Sequence, residues 1–199
     1  MYGDRMKIGM IGKGNVGSHL GKGLISAGNE VKFGHRDPKE SAAAAAAFGD
    51  VIILAVPFSE VKNVAKDVSV AVDGKILVDV TNPIGSGMSP LLGSNTSAAE
   101  EVQKLFPKAK VVKAFNYVFA KNMEKGRLNN EQLTAFIAGD DADAKKKVMA
   151  LSKEIGFEPL DVGSIVSARY LESMAFLIIG LGYGMKMGQE IGFRLIKHD

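Results

Sequence analysis

The stretch that decides the fold is Lys7-Ile8-Gly9-Met10-Ile11-Gly12-Lys13-Gly14-Asn15-Val16-Gly17. An apolar run leads into Gly-x-Gly-x-x-Gly and a helix-compatible segment follows, which is the arrangement that binds dinucleotides. Gly12 permits a tight turn, Gly14 lets the backbone approach a pyrophosphate, and Gly17 lets the helix pack closely on the strand. Backbone N–H groups at the helix start would face the anion. The stretch therefore predicts a dinucleotide site, and a purely structural tight turn is the alternative.

The residues after the second predicted strand decide between NAD and NADP. An NAD site would place an acid here to hold the ribose 2′-hydroxyl, whereas the chain reads Gly34-His35-Arg36-Asp37. The planar guanidinium of Arg36 suits a phosphate, and Lys13 is placed to approach the same group. The sequence therefore predicts NADP; in the competing interpretation Asp37 holds a ribose and Arg36 is a solvated surface residue. His35 is predicted to flank the adenine or the phosphate, or simply to end the strand.

The segment between Arg36 and Asp50 is too short for the additional strand and helix of the usual mononucleotide-binding half. It contains a run of alanines after Ser41. Alanine is the best helix former, so a short helix that starts near Asp37 and Pro38 is predicted, with a low-complexity linker as the alternative. The third strand of the usual order is therefore predicted to be missing.

Later strand-like runs end in residues that would reach the ligand-binding edge of a parallel sheet. Ligands of open α/β sheets bind outside the carboxyl ends of the strands. The run 51–56 is followed by Pro57 and Phe58, and the run 75–80 leads into Asn82. The Asn82 amide is placed to orient a nicotinamide, and an Asx-type turn before proline is its alternative role.

Strands alternate with helices at a spacing that predicts an α/β fold with a doubly wound, mostly parallel sheet of Rossmann type over residues 1–163. A C-terminal helical segment is predicted over residues 164–199. Within it Gly180, Gly184, Gly188 and Gly192 recur every four residues. Each costs about 1 kcal/mol inside a helix relative to alanine, so the glycine stripe needs a compensating contact. We predict close helix packing across a homodimer; contact with a planar ligand and a helix that breaks at these glycines are the alternatives.

Composition narrows the class of protein. The formal net charge of +3 is small and scattered, which argues against a nucleic-acid partner. Without cysteine there are no disulfides or thiolate metal sites, and the three histidines are too dispersed for a metal cluster. The N-terminus lacks an apolar signal core, and the longest uncharged apolar run, Met174 to Met185, is too short to span a bilayer. We therefore expect a cytoplasmic protein with no membrane partner.

The order of motifs along nearly the whole chain resembles that of the coenzyme F420-dependent NADP reductases, whose dinucleotide domain is also similar to the oxidoreductase domain of the STEAP metalloreductases. The first motif is shared by many NAD(P) enzymes, and the later ones are more specific. The matching stretches are Ile11 to Gly17, Gly34-His35-Arg36, Ala55-Val56-Pro57, Asp79 to Pro83, Lys113 to Asn116, Gly139-Asp140-Asp141, Asp161 to Ser164 and Ala168 to Glu172.

Three features of the chain depart from that family. The family's turn after the second strand commonly reads Gly-Ser-Arg, with Ser and Arg on the 2′-phosphate; by resemblance Arg36 keeps this role and His35 departs from it. The family's glycine turn often carries Thr where this chain has Lys13, so a second cation would compensate. The deletion between Arg36 and Asp50 is the largest departure and would reshape the adenine side of the pocket.

The resemblance implies hydride transfer between C4 of the NADP nicotinamide and C5 of the deazaflavin of coenzyme F420, the co-substrate. Such a reaction needs two rings aligned at about 3 to 3.5 Å and shielded from water, so we name no catalytic acid or base and no metal ligand. Asn82, Pro83 and Phe115, with the loop 85–88, are predicted around the rings. The full predicted cofactor-binding set is Gly12, Lys13, Gly14, Asn15, Val16, Gly17, His35, Arg36, Val56, Pro57, Phe58, Asn82, Pro83 and Phe115.

Two other functions remain open at this point. The first is an NADPH-dependent reductase of another small-molecule hydride acceptor, such as a flavin, an iron chelate, an imine or a carbonyl, on the same scaffold. The second is a non-catalytic NADPH-binding sensor. The sequence does not separate these functions, because the choice of acceptor depends on loops and on the dimer face.

Overall fold

The computed structural model describes residues 5–35 and 37–197. Strands and helices alternate along most of the chain. The strands are β1 (Lys7–Ile11), β2 (Glu30–Gly34), β3 (Val51–Leu54), β4 (Ile76–Asp79), β5 (Lys110–Lys113), β6 (Arg127–Leu128), β7 (Glu131–Gln132), β8 (Thr134–Gly139) and β9 (Glu158–Asp161). The α-helices are α1 (Asn15–Ser26), α2 (Ala42–Phe48), α3 (Val61–Val68), α4 (Ala98–Leu105), α5 (Ala120–Met123), α6 (Ala142–Glu154) and α7 (Ala168–Ile179).

Seven of the strands form one sheet in the order β2-β1-β3-β4-β5-β8-β9. The pairs from β2 to β5 are parallel, β8 runs antiparallel to β5, and β9 is parallel to β8. This confirms the predicted doubly wound, mostly parallel sheet. Within the described part of the chain β2 is the edge strand beside β1, which confirms that the usual third strand is missing.

The central strands are buried on both faces of the sheet. Every residue of β3 is buried. Val51 and Ile53 lie in the hydrophobic cluster that α1 and α6 cover, whereas Ile52 and Leu54 lie in the cluster under α3 and α4. The two sets separate because successive side chains of a strand point to opposite faces. A continuous run of apolar residues is therefore what this position in the sheet requires.

The alanine run forms a helix, but the helix starts later than predicted. Asp37 begins a separate 3₁₀ turn, Pro38–Glu40, and α2 starts only at Ala42. The Ser41 hydroxyl accepts a hydrogen bond from the Ala44 N–H at 3.2 Å and so provides the N-cap. A helix, rather than a linker, therefore covers the edge of the sheet beside β1 and β2.

The C-terminal segment is helical only in its first part. After α7 the residues Gly180–Gly184 form one π-helical turn, and no helix or strand follows between residues 185 and 197. Lys186 has φ +58° and Gly188 has φ +81°, so the right-handed helical path does not continue beyond the turn that ends at Gly184. The predicted glycine stripe along one helix is therefore wrong, and the helix breaks at these glycines instead.

The segment after the break returns to the main fold. The Asn122 side chain donates hydrogen bonds to the carbonyls of Gln189 at 3.0 Å and Ile191 at 3.1 Å. The Thr134 N–H donates to the Phe193 carbonyl at 3.0 Å. These contacts fix the segment beside the start of β8, and they are made possible by the break in the helix.

One helical stretch, residues 165–184, is long and apolar enough to cross a membrane by length and composition. It is longer than the uncharged run that the sequence suggested, because it includes the turns around Arg169 and Glu172. Its side chains Leu171, Ala175 and Ile178 are buried inside the fold. A core helix of a globular domain passes the same test of length and composition, so the stretch is weak evidence for a membrane span.

Candidate functional site

The glycine turn joins β1 to α1 and has the geometry that its three glycines predict. Gly12 has φ +109°, and a Cβ there would collide with the Ala55 carbonyl. A Cβ at Gly17 would collide with the Gly12 carbonyl, whereas a Cβ at Gly14 would have no neighbour within 4 Å. Gly14 is also the N-cap of α1. Two glycines therefore allow close packing, and Gly14 leaves open space at the positive end of the helix dipole.

A cleft of about 650 Å³ opens in front of this turn, at the carboxyl ends of β1, β2 and β3. A cavity of this size is usual for a small-molecule site. Six of the predicted residues line it, namely Gly12, Lys13, Gly14, His35, Val56 and Pro57. One face of α3 supplies a wall that the sequence analysis missed, with Asn63, Val64 and Asp67. The sequence could have indicated this wall, because α3 is the helix that follows β3 and Pro57 along the chain.

The other predicted residues that the structure describes do not line this cleft. Asn15, Val16 and Gly17 form the first turn of α1. Phe58 lines a separate cavity of about 350 Å³, and Pro83 lines another of about 310 Å³. Arg36, the predicted 2′-phosphate ligand, lies outside the described residues. The cleft is thus lined by residues of the predicted pyrophosphate site. The residues predicted to surround the nicotinamide and deazaflavin rings are not among those that line it.

Glu40 is a further residue at this site that the sequence analysis did not consider. Lys13 Nζ donates to Glu40 Oε2 at 3.0 Å, and His35 Nε2 lies 2.7 Å from the same oxygen. The Asp37 N–H donates to His35 Nδ1 at 3.2 Å, so the ring proton is assigned to Nε2, which donates to Glu40. The hydrogen bonds from Lys13 and then from His35 hold the pKa of the Glu40 carboxyl below its ordinary value. An ionised carboxylate therefore lies between Lys13, a predicted phosphate donor, and His35, for which contact with the phosphate was one of the predicted alternatives.

Asp37 has a local structural role. Its Oδ1 accepts a hydrogen bond from the Lys39 N–H at 2.9 Å and caps the 3₁₀ turn. The competing interpretation of the sequence had this residue hold a ribose. Glu40, which ends the same turn, is the acid that the structure places against Lys13 and His35.

Asn82 and Asn116 form a reciprocal pair at the carboxyl ends of β4 and β5. Asn82 Nδ2 donates to the Asn116 carbonyl at 2.6 Å, and Asn116 Nδ2 donates to Asn82 Oδ1 at 2.9 Å. Asn116 Nδ2 also donates to the Leu171 carbonyl at 3.0 Å, which connects α7 to the same edge. The Asn82 amide is therefore engaged by Asn116, a partner that the sequence analysis did not foresee.

Phe115 precedes Asn116 and adopts a left-handed backbone with φ +63°. Such a conformation is uncommon for a bulky residue and is maintained by its surroundings. The side chain is 2% exposed and its ring lies 5.5 Å from that of Phe157. The Phe115 ring is thus part of the core, and this differs from its predicted place beside the reacting rings.

A buried ion cluster lies just behind this edge. Lys113 Nζ is 2.8 Å from Asp79 Oδ2, 2.9 Å from Glu172 Oε1 and 2.6 Å from the Thr81 carbonyl. Burial alone would lower the pKa of Lys113, but the charges of Asp79 and Glu172 outweigh it, so this pKa is raised. Burial raises the pKa of the Glu172 carboxyl, and the charge of Lys113 offsets part of this rise.

Glu172 also caps the start of α4, because its Oε2 accepts a hydrogen bond from the Ala98 N–H at 2.9 Å. The cluster therefore joins β4, β5, α4 and α7 through charged groups. Asp79, Lys113 and Glu172 each belong to one of the later motifs on which the family resemblance rests. These motifs thus have a structural role at the ligand edge, which the sequence analysis did not assign.

Comparison with known proteins gives consistent matches. A family profile described as "NADP oxidoreductase coenzyme F420-dependent" matches residues 7–83. A crystal structure from Arthrobacter sp. FB24, described provisionally as an F420-dependent NADP reductase, is 30% identical with a TM-score of 0.88, and the match covers 96% of this chain and 100% of that one. The F420-dependent NADP reductase of Methanocaldococcus jannaschii is 32% identical over 149 residues, which cover 71% of this chain and 66% of that protein.

The chain also matches part of a longer protein. Metalloreductase STEAP3 of Rattus norvegicus is 34% identical over 186 residues, which cover 87% of this chain. The match spans only 37% of the length of that relative.

Proposed function

Since the chain belongs to the coenzyme F420-dependent NADP reductase family, we propose that it transfers a hydride between NADP(H) and the deazaflavin of coenzyme F420. The observation that carries the proposal is the likeness to the Arthrobacter structure over the whole length of that chain, with a TM-score of 0.88. Family membership makes the chain an oxidoreductase that uses NADP, and the choice of F420 as acceptor is the proposed step.

The residues of the cleft fit NADP. Gly14 leaves space where a pyrophosphate would approach, and the twelve-residue helix α1 directs its N-terminal N–H groups there. His35 directly follows β2, where the 2′-position of the adenosine ribose is expected, and Lys13 reaches the same place from the glycine turn after β1 through its contact with Glu40. When bound, the nicotinamide supplies or receives the hydride at C4. The chain's contribution is to bind, align and shield the rings, which accords with the lack of a named acid or base.

A second candidate is the reduction of a ferric chelate or a flavin by NADPH. What favours it is the 34% identity to Metalloreductase STEAP3. Because the match covers 37% of that protein, the activity of the whole relative is not carried over to this chain. A non-catalytic NADPH sensor remains the third candidate.

The test is to mix the protein with NADPH and oxidised deazaflavin and to follow the loss of deazaflavin absorbance. We expect catalytic turnover with the deazaflavin, and slower turnover with riboflavin or a ferric chelate measured in parallel. Turnover only with one of the latter acceptors would favour the second candidate. Stoichiometric NADPH binding without turnover of any acceptor would favour the sensor.

A further inference from the structure

The carboxylate of Glu40 lies between Lys13 and His35, two side chains that line the cleft and can donate hydrogen bonds to a phosphate. A single oxygen, Oε2, accepts from Lys13 Nζ at 3.0 Å and from His35 Nε2 at 2.7 Å. A phosphate that approached Lys13 and His35 would have to share or replace these contacts. The charge of Lys13 is therefore already compensated by a group of the chain itself.

The backbone fixes the place from which Glu40 reaches these donors. The His35 N–H donates to the Glu40 carbonyl at 2.7 Å, and the Glu40 N–H donates to the Asp37 carbonyl at 3.0 Å. The pairing of His35 with Ser41 continues the same contact beyond the end of β2. These bonds hold the turn against the strand end, so Glu40 is positioned by the fold and is more than a chance surface ion pair.

The side chain is also accessible to a ligand, because 46% of it is exposed. Lys13 and His35, its two partners, both line the cleft in front of the glycine turn. An acid at the end of β2 accepts a hydrogen bond from the ribose 2′-hydroxyl in NAD sites. The same acid repels the 2′-phosphate of NADP, which carries a charge of about −2 at neutral pH.

We propose that Glu40 sets the cofactor selectivity of this chain by lowering its preference for NADPH over NADH. Its carboxylate competes with the 2′-phosphate for Lys13 and His35, and it offers an acceptor to the ribose 2′-hydroxyl of NADH. The inference rests on the proposed function insofar as that function places a dinucleotide in the cleft. It adds a selectivity residue that neither the glycine turn nor the family match specifies.

The test is the variant Glu40→Gln, which keeps the size of the side chain and removes its charge. Dissociation constants of NADPH and NADH are measured by fluorescence titration at one fixed ionic strength, since exposed charges are screened by salt. We expect NADPH to bind about five- to tenfold more tightly than to the wild type, and NADH to bind equally or more weakly. The matched control is Asp50→Asn, an exposed acid before β3 at the opposite end of the sheet, which should leave the ratio unchanged.

A second measurement isolates the 2′-position from the rest of the cofactor. Adenosine 2′,5′-bisphosphate and AMP differ by the 2′-phosphate, and only the affinity for the bisphosphate should rise in Glu40→Gln. An unchanged NADPH-to-NADH ratio in this variant, with a wild type that binds NADPH, would overturn the role of Glu40 alone. A wild type that binds neither dinucleotide would instead contradict the proposed function.

Discussion

Gly14 and Gly17 show how a motif assigns different roles to identical residues. Both are read as glycines of one pattern, yet a Cβ at Gly17 would collide with the Gly12 carbonyl and a Cβ at Gly14 would meet no atom within 4 Å. Gly17 is therefore required by the fold, whereas Gly14 leaves space for a ligand. The difference can be tested because it predicts opposite effects on stability and on binding.

We predict that Gly14→Asp loses dinucleotide binding and keeps the fold. Asp is a favourable N-cap residue, and Gly14 has an extended backbone with φ −73° that any residue adopts. The new carboxylate would lie where the pyrophosphate approaches, so the affinities for NADPH and NADH should both fall by about 100-fold or more. Titration measures the affinities, and thermal unfolding measures the stability.

The control for this prediction is Gly17→Ala, which should lower the melting temperature because its Cβ has no room. Wild-type affinity of Gly14→Asp for NADPH would show that the pyrophosphate does not bind at this turn. If Gly14→Asp also lowered the melting temperature, unfolding would explain its loss of binding. The titration and the thermal unfolding are therefore carried out on the same sample.

The limits of the sequence are also visible at the residue scale. The pattern predicted the glycine turn well, because each glycine answers a backbone requirement that is local. Glu40 was missed because its contact with Lys13 depends on a 3₁₀ turn that returns the chain to the end of β2. The partner of Asn82 was missed for a similar reason, since Asn116 is 34 residues away along the chain.

At the scale of elements, the cluster of Asp79, Lys113 and Glu172 fixes where the sheet edge meets α7. The Lys113 and Asp79 side chains are 0% exposed, and Glu172 is 6% exposed. Buried charges are costly unless they are paired and hydrogen-bonded, and removal of one partner is the most damaging change. The fold therefore requires these three residues of the later family motifs as a set of buried ion pairs, which a match of the motifs does not reveal.

We predict that Lys113→Met destabilises the protein by about 3 to 5 kcal/mol, because two buried carboxylates lose their counter-ion. Glu172→Gln should cost less, about 1 to 3 kcal/mol, because Lys113 keeps Asp79 as its partner while the new amide NH₂ must face either the Lys113 ammonium or the Ala98 N–H. Urea unfolding measures both values.

Part of the stability that is lost in Lys113→Met should be recovered as the pH falls, because unpaired buried carboxyl groups have raised pKa values and are stable when protonated. Equal costs for the two variants would contradict this account.

At the scale of the whole molecule, the doubly wound, mostly parallel sheet and its missing third strand followed from the sequence, and the C-terminal path did not. The sheet was predictable because buried strands need continuous apolar runs and the short segment before Asp50 leaves no room for another strand. By contrast, a glycine at every fourth residue is compatible with a continuous helix as well as with a helix that breaks. Gly180 and Gly184 remain in the π-helical turn, and the break after it avoids the cost of about 1 kcal/mol each that Gly188 and Gly192 would have in a continued helix. The break also lets residues near Ile191 bind Asn122.

The predicted homodimer remains a proposal, and the broken helix changes how it should be tested. A Cβ at Gly184 would meet no atom within 4 Å, so the side chain added by Gly184→Leu begins in open space within one chain. Exposed apolar side chains surround it, with Tyr183 61% and Met185 72% exposed. If a second copy packs closely here, the variant should sediment with about half the wild-type mass, because the added side chain would separate the two backbones.

Gly182→Ala is the control for that experiment, since its Cβ would lie 2.5 Å from the Phe119 ring within the same chain. This variant should lower the melting temperature without a specific effect on mass, which separates a folding defect from a defect of assembly. A Gly184→Leu protein that sediments as a dimer would place the interface elsewhere. A wild type that sediments as a monomer would refute the homodimer, and the exposed side chains beside the broken helix would then require another explanation.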